Sequence, residues 1–397
     1  MNKCREHTKN MEHAKRHKIV WTLARPVVDV IVRILYKHTP EYTDISGPFL
    51  VVCNHTTDWD PLLMGVSFRK EHIYFVSSEH VLRSRFGKLL TWLLDPIGRQ
   101  KGGSAADTVL TMMRRLKKGY NVAVFPEGNR SWDGVTREFV ATTGKLVRSS
   151  GASLVTYRID GGYFASPRWA GSTIRRGKTR GHVVNVYSPE QLKAMKPEEI
   201  NQCIQQDLHV DAYEEQRKNP IPFKGRNLAH HMETLLFICP QCGKVHTLHS
   251  KDDTLFCESC GFTVKYLPTG FLTGENLRWD NIRDWNLWQE QEIRRLCDEA
   301  GDEAIFVDTD MHTNHIHSGQ GKQRLGRGDM RLYRDRLELP GVTLPLEDIS
   351  GISLRGPQDI YFGTKENHYQ VGSEKVRCTV KYLSACAYLN NRTDYGV

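Results

Sequence analysis

Short apolar runs and amphipathic stretches alternate along the first half of the chain. Residues 49–53 (Phe-Leu-Val-Val-Cys) are apolar without a break, the pattern of a strand covered on both faces. Residues 73–76, 121–125, 153–159 and 183–187 read as further strands. Between them, residues 61–68, 81–94, 105–118, 141–150 and 189–213 read as helices, and Gly119 closes the third. Strand and helix in turn predict an α/β domain, a mostly parallel sheet flanked by helices. Residues 160–181 break the rhythm: Gly161, Gly162, Arg168, Arg175, Arg176, Lys178 and Arg180 mix with Tyr163, Phe164 and Trp169. This segment reads as a basic, aromatic loop, either a solvated hairpin tip or a surface for anionic groups such as phosphates.

The second half has a different texture. Residues 278–299 read as a helix with Trp279, Ile282, Trp285, Trp288 and Ile293 near one face, packed on a neighbouring domain. A β-rich region starts at 304–307. Short strands at 329–333, 336–339, 342–345, 349–354, 358–362 and 369–371 predict a small β-barrel or sandwich, closed by a helix at 377–389. His312, His315 and His317 have no acidic or cysteine partner nearby and read as a solvated loop. The predicted division is a basic arm and amphipathic interfacial helix (1–45), the α/β domain (46–230), a cysteine-rich ribbon (237–266), a connecting helix (275–300) and the β-rich domain (301–397).

Residues 1–18 are basic, with Lys3, Arg5, Lys9, Lys15, Arg16 and Lys18. In 19–36, Arg25, Asp29 and Arg33 share one helix face and apolar residues the other. That is the pattern of a helix lying in a membrane interface, or of one packed on its own domain. The same charged residues and Pro26 interrupt the apolar run that a secretion signal needs. No run of about 20 apolar residues exists, so a spanning helix is not supported. The expectation is a cytoplasmic protein, peripheral on the inner face of the membrane. The net charge of +9 calls for an anionic partner. In the ribbon, Lys244 and Lys251 stand against Asp252, Asp253 and Glu258, which argues against nucleic acid.

Two stretches carry chemistry. Residues 53–61 read Cys-Asn-His-Thr-Thr-Asp-Trp-Asp-Pro, at the end of a predicted strand. A turn there brings His55 and Asp60 within hydrogen-bond reach, the pairing that orients a histidine as general base. Asp60-Pro61 also fits a helix N-cap followed by proline at the first helical position. Residues 125–131, Phe-Pro-Glu-Gly-Asn-Arg-Ser, follow another predicted strand. Ligands of open α/β sheets bind at this carboxyl edge, so both stretches belong to one site. Separately, Cys239-x-x-Cys242 and Cys257-x-x-Cys260, each followed by glycine, form two metal-binding knuckles. Four thiolates make a closed, structural zinc site. The other six cysteines read as reduced thiols.

Together, His-x4-Asp and Phe-Pro-Glu-Gly-x-Arg-Ser resemble the glycerolipid acyltransferase family, of the 1-acylglycerol-3-phosphate O-acyltransferase type, over about residues 20 to 220. The resemblance implies an enzyme that moves an acyl group from acyl-CoA or acyl carrier protein thioester to a glycerophospholipid precursor, first of all lysophosphatidate. His55 and Asp60 would be catalytic. Arg99, Glu127, Gly128, Arg130 and Ser131 would position the acceptor, with Glu127 orienting an arginine or holding a glycerol hydroxyl. Asn54 or a backbone amide would serve the oxyanion. Two positions depart from the family pattern: Ser78 stands where many members have lysine, and Thr156 where proline is usual. The strand order of the last domain resembles a pleckstrin-homology-like module. The contrasting expectation is a non-catalytic, lipid-binding scaffold.

Overall fold

The computed structural model describes residues 2–78, 91, 92, 94–99, 106–139, 141–317, 321–356 and 358–391. They form two units. The first comprises residues 1–130, 136–165 and 174–212; the second takes 131–135, 166–173 and 213–397.

The first unit is built on seven strands: β1 (His38–Pro40), β2 (Phe49–Cys53), β3 (Ile73–Ser78), β4 (Ile97–Arg99), β5 (Asn121–Val124), β6 (Ser153–Asp160) and β7 (Thr179–Tyr187). Their order is β1-β7-β6-β2-β5-β3-β4. The five from β6 to β4 run parallel; β7 returns antiparallel along β6. All five residues of β2 are buried, as its unbroken apolar run requires.

Helices α1 (Asn2–Tyr36), α2 (Asp60–Gly65), α3 (Ala106–Lys117), α4 (Thr143–Ser150), α5 (Gly162–Ala165), α6 (Pro189–Ala194) and α7 (Pro197–Leu208) surround this sheet. Leu50, Val52, Val122 and Leu154 of the sheet share a core with Met112 and Leu116 of α3, Val147 of α4, and Ile200, Ile204 and Leu208 of α7. Most of the expected 81–94 helix lies outside the described residues.

The basic arm and the interfacial helix are one continuous helix, α1, with Pro26 inside it. Both expected surfaces of α1 are present. His17, Trp21, Val32 and Tyr36 are buried against the unit's own core. Ile19, Leu23, Val27, Val30 and Ile34 remain exposed, from 55% for Val30 to 73% for Leu23. Their spacing of three to four residues makes one apolar stripe along the helix. No helix among the described residues is long and apolar enough to cross a membrane.

Segment 160–181 corrects its expectation. Gly162 to Ala165 form α5, and Tyr163, Phe164, Arg168, Trp169 and Arg175 are all buried. Only Arg176, Lys178 and Arg180 of its basic residues keep exposed positions. The aromatic rings that looked like a surface are core. Thr156 also finds its reason here. Its hydroxyl, fully buried in β6, donates to Asp207 Oδ2 at 2.8 Å, and Asn185 and Tyr187 donate to the same carboxylate. A buried carboxylate needs such donors.

The second unit begins near α8 (Ala212–Lys218) and contains two sheets. The ribbon strands β8 (Leu248–Lys251), β9 (Thr254–Cys257), β10 (Thr263–Tyr266) and β11 (Leu272–Thr273) form an antiparallel meander. Helix α9 (Ile282–Glu299) buries Trp285, whose indole donates to the Ile238 carbonyl at 3.2 Å. Trp279 and Trp288 instead stack on each other, with Arg278 over Trp279.

The last sheet is β12 (Phe306–His317), β13 (Gly321–Leu332), β14 (Arg336–Leu339), β15 (Val342–Pro345), β16 (Gly351–Arg355), β17 (Asp359–Gly363) and β18 (His368–Gly372), followed by α10 (Val380–Leu389). Its antiparallel order is β15-β14-β13-β12-β18-β17-β16. His312, His315 and His317 lie on β12, not in a loop, and His315 Nε2 bonds Asn367 Oδ1 at 3.0 Å. Their long strand was missed because charged and polar residues occupy it throughout.

Candidate active site

Strands β2 and β5 are parallel neighbours, and Val52 pairs with Val124. Three residues beyond each partner stand His55 and Glu127. Equal advance from a shared register sets the two turns side by side. The result is a hydrogen bond from the His55 backbone N–H to Glu127 Oε1 at 2.7 Å.

Asp60 opens α2 with Pro61 behind it, but it does not cap the helix. Its carboxylate turns back instead. Oδ2 accepts from His55 Nδ1 at 2.9 Å and from the Thr56 and Thr57 amides at 2.5 and 2.9 Å. Oδ1 accepts from the hydroxyls of Thr56 at 3.2 Å and Thr57 at 2.9 Å. Asp60 is fully buried. Five donors around one buried carboxylate fix both the turn and the imidazole. With Nδ1–H donated to Asp60, Nε2 is the free basic nitrogen. The ring lies against Phe125, centroids 4.7 Å apart, and its side chain keeps 21% exposure.

Glu127 accepts the His55 amide and a backbone N–H of Arg137, whose charge also acts on it. Burial pushes its carboxyl up to about 8, against the pull of the His55 amide. Gly128 has φ +70° and its amide bonds the Phe125 carbonyl at 3.1 Å, a left-handed turn position that favours glycine. Arg130, 9% exposed, donates from Nε to the Thr56 carbonyl and from Nη1 to Asp58 Oδ2, both at 3.0 Å. It braces the His55 turn from outside. From the other side, Gly162 of α5 approaches so closely that a Cβ there would lie 2.1 Å from Thr56 Oγ1.

The remaining candidates separate. Asn54 is committed to the sheet: its amide donates to the Ile159 carbonyl at 3.0 Å and accepts the Ile159 N–H at 2.8 Å. That pins β2 to β6 and corrects its assignment to the oxyanion. Ser131 belongs to the second unit, where its hydroxyl donates to the Val135 carbonyl and accepts from Gly134. Arg99 ends β4, paired with Ser78, and its side chain lies outside the described residues. Two residues that motif reading missed are Thr56 and Thr57, whose amides and hydroxyls hold Asp60. Their adjacency inside the His-x4-Asp spacing was the available signal. A third is Tyr36, buried with its ring 6.0 Å from Trp59 of the same turn.

In the second unit, Cys239, Cys242, Cys257 and Cys260 converge, with all four Sγ atoms within 4.8 Å of one another. Cys239 and Cys260 are 3.6 Å apart and Cys242 and Cys257 3.8 Å. A regular tetrahedron with metal–sulfur bonds of about 2.3 Å has edges of about 3.8 Å, so the four fit a metal ion. Gly243 and Gly261 donate back to Cys239 and Cys257, closing each knuckle.

Residues 34–160 match the family model Acyltransferase. No curated protein matches the chain. Among solved structures, the 1-acyl-sn-glycerophosphate acyltransferase PlsC of Thermotoga maritima is similar. Identity is 20%, the match covers 51% of this chain and 81% of that chain, and the TM-score is 0.43.

Proposed function

We propose that the chain acylates a free hydroxyl of a glycerophospholipid precursor, with His55 as general base. The observation that carries this is the His55–Asp60 pair, held by five donors on Asp60 and by Glu127 on the His55 amide. Nε2 of His55 takes the acceptor's hydroxyl proton as that oxygen attacks the thioester carbonyl. The tetrahedral intermediate then expels the thiolate of acyl-CoA or acyl carrier protein, and the imidazolium returns the proton to sulfur. Asp60 keeps the tautomer and steadies the imidazolium. No enzyme nucleophile takes part, so no acyl-enzyme forms. Lysophosphatidate is the acceptor that the family resemblance implies; glycerol 3-phosphate and other lysophospholipids are the alternatives.

In the same reading, the exposed stripe of α1 lies in an anionic membrane surface, with Lys18 on the same helix, and supplies lipid substrate. The four cysteines hold zinc as a structural ion that takes no part in transfer. The order of the last sheet, with β12 and β18 adjacent, favours a pleckstrin-homology-like module.

The test is acyl transfer by purified protein from labelled acyl-CoA, and separately from acyl carrier protein thioester, to a panel of acceptors. His55→Ala should lower the rate by about 10²–10⁴. If no acceptor is used while the folded protein still binds lipid vesicles, the chain is a lipid-binding scaffold and the catalytic reading is lost.

A further inference from the structure

The Arg130 guanidinium, the cation of the second motif, is engaged by the turn that carries His55. Its Nε bonds the Thr56 carbonyl and its Nη1 the Asp58 carboxylate. Arg130 is 9% exposed and Asp58 76% exposed, so the carboxylate stands on the solvent side of the pair. Asp58 lies three residues from the base. An acceptor whose hydroxyl reaches His55 brings its headgroup into this neighbourhood.

A phosphate monoester carries a charge of about −1.5 to −2 at neutral pH. It would meet an arginine already matched by a carboxylate, and it would meet that carboxylate as a like charge. A phosphodiester carries only one negative charge. If its second ester bears an ammonium group, that cation has an exposed carboxylate to pair with.

We propose that Asp58 is a specificity-determining residue that turns the site away from phosphate-monoester acceptors and toward zwitterionic lysophospholipids. This rests on the acyl-transfer reading above and chooses among its acceptors. The Asp58 carboxylate bonds Arg130, while His55 and Asp60 bond each other, so its charge can be removed without dismantling that pair.

The experiment compares the full-length protein with Asp58→Asn and Asp58→Ala. For each, kcat/KM is measured with lysophosphatidate, with lysophosphatidylcholine and lysophosphatidylethanolamine, and with 1-acylglycerol as a phosphate-free reference. Binding of the same lipids is followed in parallel by tryptophan fluorescence. Wild type should favour the zwitterionic acceptors. Both variants should shift the ratio toward lysophosphatidate by about tenfold, through KM, and the shift should shrink with added salt. The 1-acylglycerol reaction should not share it. A ratio unmoved in both variants overturns the proposal even if transfer proceeds, and so does a wild-type preference for lysophosphatidate that the variants lose. If no protein transfers acyl groups, the catalytic reading has failed; the binding ratios then decide, a shift supporting Asp58 as selector and no shift overturning it.

Discussion

Glu127 shows how a charged residue type can be used in its neutral form. Its carboxyl, pushed up to about 8 by burial, holds a proton at neutral pH and still accepts the His55 amide through Oε1. An unfolded chain has an ordinary glutamate, near 4.5. The folded state therefore binds a proton that the unfolded state releases between these values. Stability tied to Glu127 is present below about pH 4.5 and is lost as pH rises to about 8. Glutamine offers the same acceptor without the proton. Glu127→Gln should keep transfer at neutral pH and gain stability over wild type across that window, on the order of 3 kcal/mol. Urea unfolding at a series of pH values measures it; parallel curves for the two proteins would refute a protonated Glu127. At this scale the motif residues were legible, because His55 and Asp60 are close in sequence and a single turn joins them. The partners of Glu127, Arg130 and Asn54 were not legible, because each lies on another strand or turn. Glu127, expected to serve an arginine or a glycerol hydroxyl, accepts the backbone amides of His55 and Arg137.

Among the elements, α1 combines a buried apolar face with an exposed apolar stripe. Its Trp21–Val32–Tyr36 face is core, while the Leu23–Val27 stripe faces outward. Tyr36 also packs near Trp59, so this helix supports the His55 turn. Leu23→Asp with Val27→Asp places two charges on the exposed stripe alone. The double variant should lose sedimentation with anionic vesicles and keep the wild-type melting temperature. Undiminished sedimentation would remove α1 as the membrane contact. Strand positions were read within a few residues because unbroken apolar runs leave no other option in a parallel sheet. The polar β12–β13 hairpin was read poorly for the converse reason: its pairing, not its pattern, makes it a sheet.

For the molecule as a whole, the second unit depends on contacts between segments far apart in sequence. Lys381 of α10, fully buried, pairs with Asp308 of β12 at 2.6 Å and donates to His246 of the ribbon at 2.5 Å. Burial, and then the Lys381 ammonium, hold His246 down to about 4, which leaves its ring a neutral acceptor. Tyr382 donates to the same carboxylate at 2.9 Å. The ribbon is thus tied to the last domain by a charged cluster that tolerates little displacement. Stripping the metal with a strong chelator should release about one zinc per chain and lower the calorimetric unfolding of this unit by several degrees. A chain without bound metal that melts like wild type would make the four cysteines mere thiols.

Local chemistry written in adjacent residues was determined by the sequence: the His55–Asp60 turn, the two cysteine knuckles, the buried strands and the stripe on α1. These depend on spacing and hydrophobicity, which short-range geometry converts directly into structure. Only the tertiary structure decided what the long-range partners do. The shared register of β2 and β5 brought Glu127 to the His55 amide, the approach of α5 enclosed Thr56, and Arg130 came to rest on Asp58. Strand pairing and packing choose such partners from many of equal local merit, and no residue-by-residue pattern records the choice.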